Sequence, residues 1–266
     1  MTRPALDDVP PARTELRSGW RRMWAGAAGL ALGLLAACGI GPGDGGGDAK
    51  PEDEPLAALR ARMVEEQVAA RGLRDERVLA ALRTVRRHRY AEDTDPRGAY
   101  ADTPHPIGLG QTISQPYIVA LMSALAEIDP PCRVLEVGTG SGYQAAVLAE
   151  MGCEVWSIEI IEALAERARA TLEAEGYGDR VHVRAGDGFR GWPEEAPFDA
   201  ILVTAAAPRV PEPLLDQLRV GGRLVVPVGE PWQMLEIHLR TEDGFEKTAD
   251  TAVRFVPMTG EIRDGR

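Results

Sequence analysis

Val134-Leu135-Glu136-Val137-Gly138-Thr139-Gly140-Ser141-Gly142-Tyr143 decides how this chain is read. An apolar run enters a glycine-rich turn, and a helical pattern follows. Glycine has no Cβ to hold a ligand off the backbone, so such a turn lets a nucleotide-like molecule approach main-chain N–H groups. Downstream, strand and helix patterns alternate. Strands are expected at 133–137, 154–159, 181–185, 198–204 and 223–227, and helices at 143–151, 161–175 and 213–218. Gly152, Gly176 and Gly221-Gly222 read as helix ends. On the 161–175 segment Ile161, Leu164, Ala165, Ala168 and Leu172 share one face, the pattern of a helix packed on a sheet. This alternation predicts an α/β fold with a doubly wound, mostly parallel Rossmann-like sheet. Beyond Gly229, segments 234–239 and 252–256 flank Glu242-Asp243-Gly244 and predict an added C-terminal antiparallel pair.

Upstream, 56–71 and 75–85 read as helices that cover the sheet. Residues 86–110 lack a period and carry Pro96, Pro104 and Pro106, and Pro116 opens a helix reaching about 128. The chain has 266 residues and a formal net charge of −11, without a basic run interleaved with aromatics, so nucleic acid is not an expected partner. The three cysteines form no Cys-x-x-Cys pair and the four histidines are scattered, so neither a disulfide framework nor a metal site is expected. Cys153 reads as core packing, and Cys132, between Pro131 and Arg133, as partly exposed.

The first 55 residues differ in kind. Arg17, Arg21 and Arg22 precede an uncharged apolar run, 23–37. As a helix this run spans about 22 Å, short of the ~30 Å hydrocarbon core of a bilayer. It fits a signal-peptide core better than a membrane span. Leu35-Ala36-Ala37-Cys38-Gly39 resembles a bacterial lipoprotein cleavage box with Cys38 as the lipidated residue. The expected organisation is a signal peptide over 1–38, a glycine-rich acidic tether over 39–55 and a folded domain over 56–266. The expected location is the cell envelope, attached to the membrane through Cys38. Initiation at Met63 is the alternative; it yields a cytoplasmic chain and cuts into the first helix.

Three features at successive strand ends carry the cofactor chemistry. Gly138, Gly140 and Gly142 form G-x-G-x-G rather than the dinucleotide G-x-G-x-x-G. Glu159, 21 positions after Gly138, ends the next strand, where a carboxylate accepts hydrogen bonds from ribose hydroxyls. Gly186-Asp187-Gly188 then puts a small polar turn where adenine would lie. An acidic rim favours a ligand without phosphates. Taken singly, each feature has a plainer explanation: a tight turn, a solvated Glu159, and an Asp187 that bonds its own turn.

Upstream stands Pro106-Ile107-Gly108-Leu109-Gly110-Gln111-Thr112-Ile113-Ser114-Gln115-Pro116. Local chemistry alone reads Ser114 or Gln115 as the cap of a helix. Together with the glycine turn, this segment resembles the signature of the S-adenosylmethionine-dependent protein-L-isoaspartate O-methyltransferases. The likeness runs on through Tyr100-Ala101-Asp102, Val203-Thr204-Ala205-Ala206 and Val253-Arg254-Phe255-Val256-Pro257, over roughly 56–260. His105 and Tyr90-Ala91 depart from the family's commoner residues.

The resemblance implies a methyltransferase fold and S-adenosylmethionine as cofactor. It places Thr112, Ile113, Glu136, Gly138, Thr139, Gly140, Ser141, Gly142, Glu159, Asp187 and Gly188 at the cofactor. Ile107, Ser114 and Val256 fall at the substrate, with Ser114 in the active-site serine position. The implied partners are damaged proteins carrying L-isoaspartyl residues, and the chain is expected to be a monomer. An isoaspartyl carboxylate is already ionised near neutral pH and needs no general base, which fits the absence of a Ser-His-Asp or Cys-His constellation. Two other readings stay open from sequence: a methyltransferase of small carboxylates, and a non-catalytic, membrane-tethered nucleoside-binding module.

Overall fold

The computed structural model describes residues 54–264. The expected signal peptide, Cys38 and the expected tether before residue 54 lie outside the described residues. The elements, in chain order, are α1 (Glu54–Arg62), α2 (Glu76–Thr84), β1 (His105–Pro106), β2 (Thr112–Ile113), α3 (Pro116–Leu125), β3 (Cys132–Val137), α4 (Tyr143–Glu150), β4 (Cys153–Glu159), α5 (Glu162–Ala174), β5 (Val181–Ala185), β6 (Phe198–Val203), α6 (Glu212–Leu215), β7 (Leu218–Val228), β8 (Gln233–Thr241) and β9 (Gly244–Val253).

Seven strands form one sheet in the order β5-β4-β3-β6-β7-β8-β9. β5 through β7 are parallel, and β8 and β9 add antiparallel to β7. The doubly wound sheet and its antiparallel extension therefore stand as expected. Strand order reverses direction between β3 and β6, which opens a crevice beyond their C-terminal ends. Side chains alternate across the sheet. Val134, Val155, Ala200 and Leu202 pack on α2, α3 and α4, while Leu135, Ile158, Ile201 and Leu224 pack on Leu214, Met258 and Ile262.

Local details depart from the sequence reading. The first helix continues beyond α1 as a π turn, Met63–Val68, and a 3₁₀ turn, Ala69–Arg71, before Gly72 ends it at φ +99°. α3 stops at Leu125. Gly221-Gly222 lies inside β7 rather than at a helix end, beside a register shift at Phe198/Ala200. A Cβ on Gly222 would sit 2.9 Å from the carbonyl oxygens of Arg219 and Asp199. The last strand starts at Gly244 rather than at 252, because it pairs with β8 directly from the turn, Thr241 facing Gly244.

The cysteines need a larger correction. Cys132 and Cys153 open β3 and β4, sit opposite each other in register, and are joined by a disulfide with a Cα–Cα distance of 4.5 Å. Both are buried, so Cys132 is not partly exposed and Cys153 is not a free core thiol.

Candidate active site

The crevice between β3 and β6 holds a cleft of about 850 Å³, open mouth included. It is lined by 111–114 from β2 and the approach to α3, by the loops after β3, β4, β5 and β6, and by 256–259 from the C-terminal segment. The β1–β2 hairpin is tied to α5, because Arg167 donates a hydrogen bond to the Ile107 carbonyl.

Ser114 does not cap α3. Gln115 is the N-cap residue, and its side chain makes no cap. Asp102 takes that work instead: Oδ1 accepts from the Tyr117 N–H at 3.0 Å, and Oδ2 accepts from Gln115 Nε2 at 2.7 Å and Arg71 at 2.9 Å. Among the described residues the half-buried Ser114 hydroxyl has no hydrogen-bond partner, and it lines the cleft. It is therefore available to an acceptor molecule. Sequence gave no sign of Asp102's role, since 15 positions separate it from the amide it caps.

The glycine turn takes left-handed backbone at Gly138, Gly140 and Gly142, with φ of +102°, +54° and +89°. Gly138 is also closed in: a Cβ there would lie 2.5 Å from the Thr204 hydroxyl, which itself sits 2.5 Å from the Gly138 carbonyl. Glu159 is buried, not solvated. Its Oε2 accepts from the Gly140 N–H at 2.8 Å and its Oε1 from the Ile161 N–H at 3.0 Å. Each oxygen keeps a further lone pair for a hydroxyl.

Glu136 is fully buried and lines the cleft. One oxygen accepts from the Ser157 hydroxyl, which also meets Thr139 Oγ1 at 2.6 Å; the other has no partner among the described residues. Burial pushes its carboxyl up to about 8, Ser157 works against that shift, and the Glu159 charge adds to it. A buried carboxyl with a vacant acceptor beside a glycine turn suits a cationic ligand. The sulfonium and amino group of S-adenosylmethionine meet that requirement, so this donor set fits the cofactor.

The cleft thus gathers Thr112, Ile113, Ser114, Glu136, Gly138, Thr139, Gly140, Ser141, Glu159, Gly188 and Val256. Three expected residues stand elsewhere. Asp187 does not line the cleft: its carboxylate accepts from the Phe189 N–H at 2.9 Å and the Glu261 N–H at 2.7 Å, tying its own turn to the C-terminal segment. Gly142 faces Leu172 and Ala168 of α5 and serves as the N-cap of α4. Ile107 lies in a smaller neighbouring cleft with Ser141, its Cδ1 3.5 Å from where a Gly140 Cβ would be. The sequence reading assigned no role to Gln144, Ile160, Thr204 or Thr259, which also line the main cleft.

The family profile described as "Protein-L-isoaspartate(D-aspartate) O-methyltransferase (PCMT)" matches residues 59–263. This chain belongs to the protein-L-isoaspartate O-methyltransferase family. A protein-L-isoaspartate O-methyltransferase of Picosynechococcus sp. is 54% identical over 207 residues, covering 78% of this chain and 93% of the relative. One from Gloeobacter violaceus is 56% identical over 201 residues, covering 75% and 98%. Among solved structures, a protein-L-isoaspartate O-methyltransferase superposes with a TM-score of 0.69 at 27% identity, over 77% of this chain and 67% of the other. A Plasmodium falciparum protein described as a member, in complex with S-adenosyl-L-homocysteine, gives 0.65 at 26% identity, over 75% and 98%. The enzyme class and cofactor expected from the signature follow from membership in this isoaspartyl methyltransferase family.

Proposed function

We propose that this cleft performs the family's reaction, methyl transfer from S-adenosylmethionine to the free carboxylate of L-isoaspartyl residues in damaged proteins, and that Ser114 holds that carboxylate. The observation that carries the reading is the meeting of the Ser114 segment with Glu136, Glu159 and the glycine turn in one cleft. The cofactor supplies an electrophilic methyl group on a cationic sulfur. The turn 138–141 and Glu159 bind the nucleoside half, and Glu136 faces the positive charge. Ser114 donates its hydroxyl to the substrate carboxylate and so orients one oxygen for in-line attack. The apolar wall from Ile113, Ile160 and Val256 excludes water from the reacting centre. No general base is required, since the nucleophile is already an anion.

An isoaspartyl peptide and its normal aspartyl twin test the reading. The first is expected to gain a base-labile methyl ester and the second none; equal labelling of both, or of neither, overturns it. Ser114→Ala is expected to lower kcat/KM about 10- to 100-fold, the value of a hydrogen bond to a charged group, with cofactor affinity unchanged. Unchanged turnover would remove the role of Ser114.

The location reading is that the chain is exported and anchored through Cys38 as a monomer. The Cys132–Cys153 bond supports it, because disulfides persist in oxidising compartments and are rare in cytosolic proteins. Fractionating cells that express the full gene checks this. Wild type is expected in the membrane fraction, and Cys38→Ser is expected to release it. A soluble cytoplasmic product that begins near Met63 and ignores Cys38 would overturn the anchor.

A further inference from the structure

Gln144 lines the cleft, and a relay of hydrogen bonds sets the orientation of its side chain. It lies in the first turn of α4, directly beyond the glycine turn, and only 7% of it is exposed. Its partner is Ser123 of α3, which is also buried. The Ser123 hydroxyl donates to the Val119 carbonyl at 2.8 Å, one turn back in the same helix. A serine has a single O–H proton, so toward Gln144 this oxygen acts only as an acceptor. Gln144 Nε2 fills that place, donating to Ser123 Oγ at 2.8 Å.

The relay decides which end of the amide is left over. Gln144 Oε1 has no hydrogen-bond partner among the described residues, and it is not closed off inside the protein. What little of this side chain is open faces the cleft, whose lining it shares with Thr112, Ser114 and Val119. A buried side chain thus presents one oriented, unused acceptor to the ligand space. An amide oxygen accepts and cannot donate, which excludes a carboxylate as its partner and calls for an N–H or O–H group. In the proposed reaction the turn 138–141 and Glu159 take the nucleoside half of the cofactor. Beyond its sulfur the cofactor carries one carboxylate and one ammonium, and only the ammonium brings donors. It brings three, and the vacant oxygen of Glu136 meets one of them.

We propose that Gln144 Oε1 accepts from the α-ammonium group of S-adenosylmethionine, and that Ser123 is the positioning residue that keeps this oxygen turned toward the cleft. The pair recognises the amino-acid head of the cofactor separately from its nucleoside. This rests on the cofactor assignment of the cleft.

Titration calorimetry on the full-length protein tests the pair with S-adenosylhomocysteine, its deamino analogue and its decarboxylated analogue. The deamino analogue keeps the carboxylate and lacks the amine; the decarboxylated one keeps the amine. Gln144→Leu is expected to weaken S-adenosylhomocysteine and the decarboxylated analogue about 10- to 100-fold, the value of one hydrogen bond to a charged group. The deamino analogue is expected to change by less than about threefold. Ser123→Ala is expected to weaken the same two amine-bearing ligands about 3- to 10-fold, and to add nothing in the Gln144→Leu background. Ser123→Ala carries the same comparison if Gln144→Leu does not fold. A merely structural role would lower all three affinities together. Equal losses for all three ligands, losses confined to the two that bear a carboxylate, or no loss at all overturn the inference. So does a raised peptide KM with unchanged cofactor affinity, which would give the Gln144 oxygen to a substrate N–H group. Failure of the wild-type protein to bind S-adenosylhomocysteine overturns the cofactor assignment itself.

Discussion

Glu159→Ala is expected to weaken S-adenosylhomocysteine binding at least 100-fold, about 2.7 kcal/mol. The residue ends β4 with a buried carboxylate that holds the Gly140 and Ile161 N–H groups. Hydrogen bonds to a charged group contribute about 1.5–3 kcal/mol each. Truncation loses two of them, leaves the Gly140 N–H of the glycine turn and the Ile161 N–H of the loop after β4 without an acceptor, and removes the carboxylate proposed to accept from the ribose. Titration calorimetry measures the affinity, and thermal unfolding without ligand separates it from folding. A dissociation constant within threefold of wild type would remove Glu159 from the cofactor site.

Glu136→Gln is expected to abolish a pH dependence that the wild-type protein shows. The Glu136 carboxyl rises from an ordinary 4.5 to about 8 in the folded protein, so the folded state holds its proton more tightly than the unfolded state. For a raised carboxyl, the stabilisation is complete below pH 4.5 and is lost as pH rises to about 8. A change from 4.5 to about 8 corresponds to a loss on the order of 4–5 kcal/mol. Urea unfolding between pH 4.5 and 8 without cofactor should show that decline in wild type and not in the glutamine variant. The charged form faces the cleft, so affinity for a cationic ligand is expected to rise toward pH 8 and to release a proton on binding below it. Calorimetry in buffers of different ionisation enthalpy reads that proton. A variant with the wild-type slope would show that Glu136 does not carry it.

The parallel part of the fold was legible because its buried strands, β6 excepted, end in a glycine or an acidic turn, and α5 shows its apolar stripe openly. β9 was misplaced because residues 244–251, Phe245 apart, are polar or small, and their pairing is dictated by the turn and by β8 rather than by their own hydrophobicity. β1 and β2 have two residues each, too few to show a period. The disulfide was missed because 21 positions separate its cysteines, and only the register of β3 on β4 brings them together. Most of the site followed from motif and strand order. Asp187 does not line the cleft, and its tie to the C-terminal segment was not visible from its place after a strand. Asp102 stayed hidden for a related reason, as its duty lies on a helix across an irregular stretch.

The cleft draws residues 111–114 and 256–259 into one wall, although the whole parallel sheet lies between them in sequence. Contacts this distant close late, because a long intervening chain must be ordered before they form. A chain emerging from the ribosome therefore has the glycine turn and Glu159 early, but lacks Val256 to Thr259 until roughly a hundred further residues have followed. Nascent chains, and fragments clipped before residue 256, would carry half a binding site. The position of this segment delays catalytic competence until residues 256–259 have been made and have docked on the sheet, wherever in the cell the chain folds.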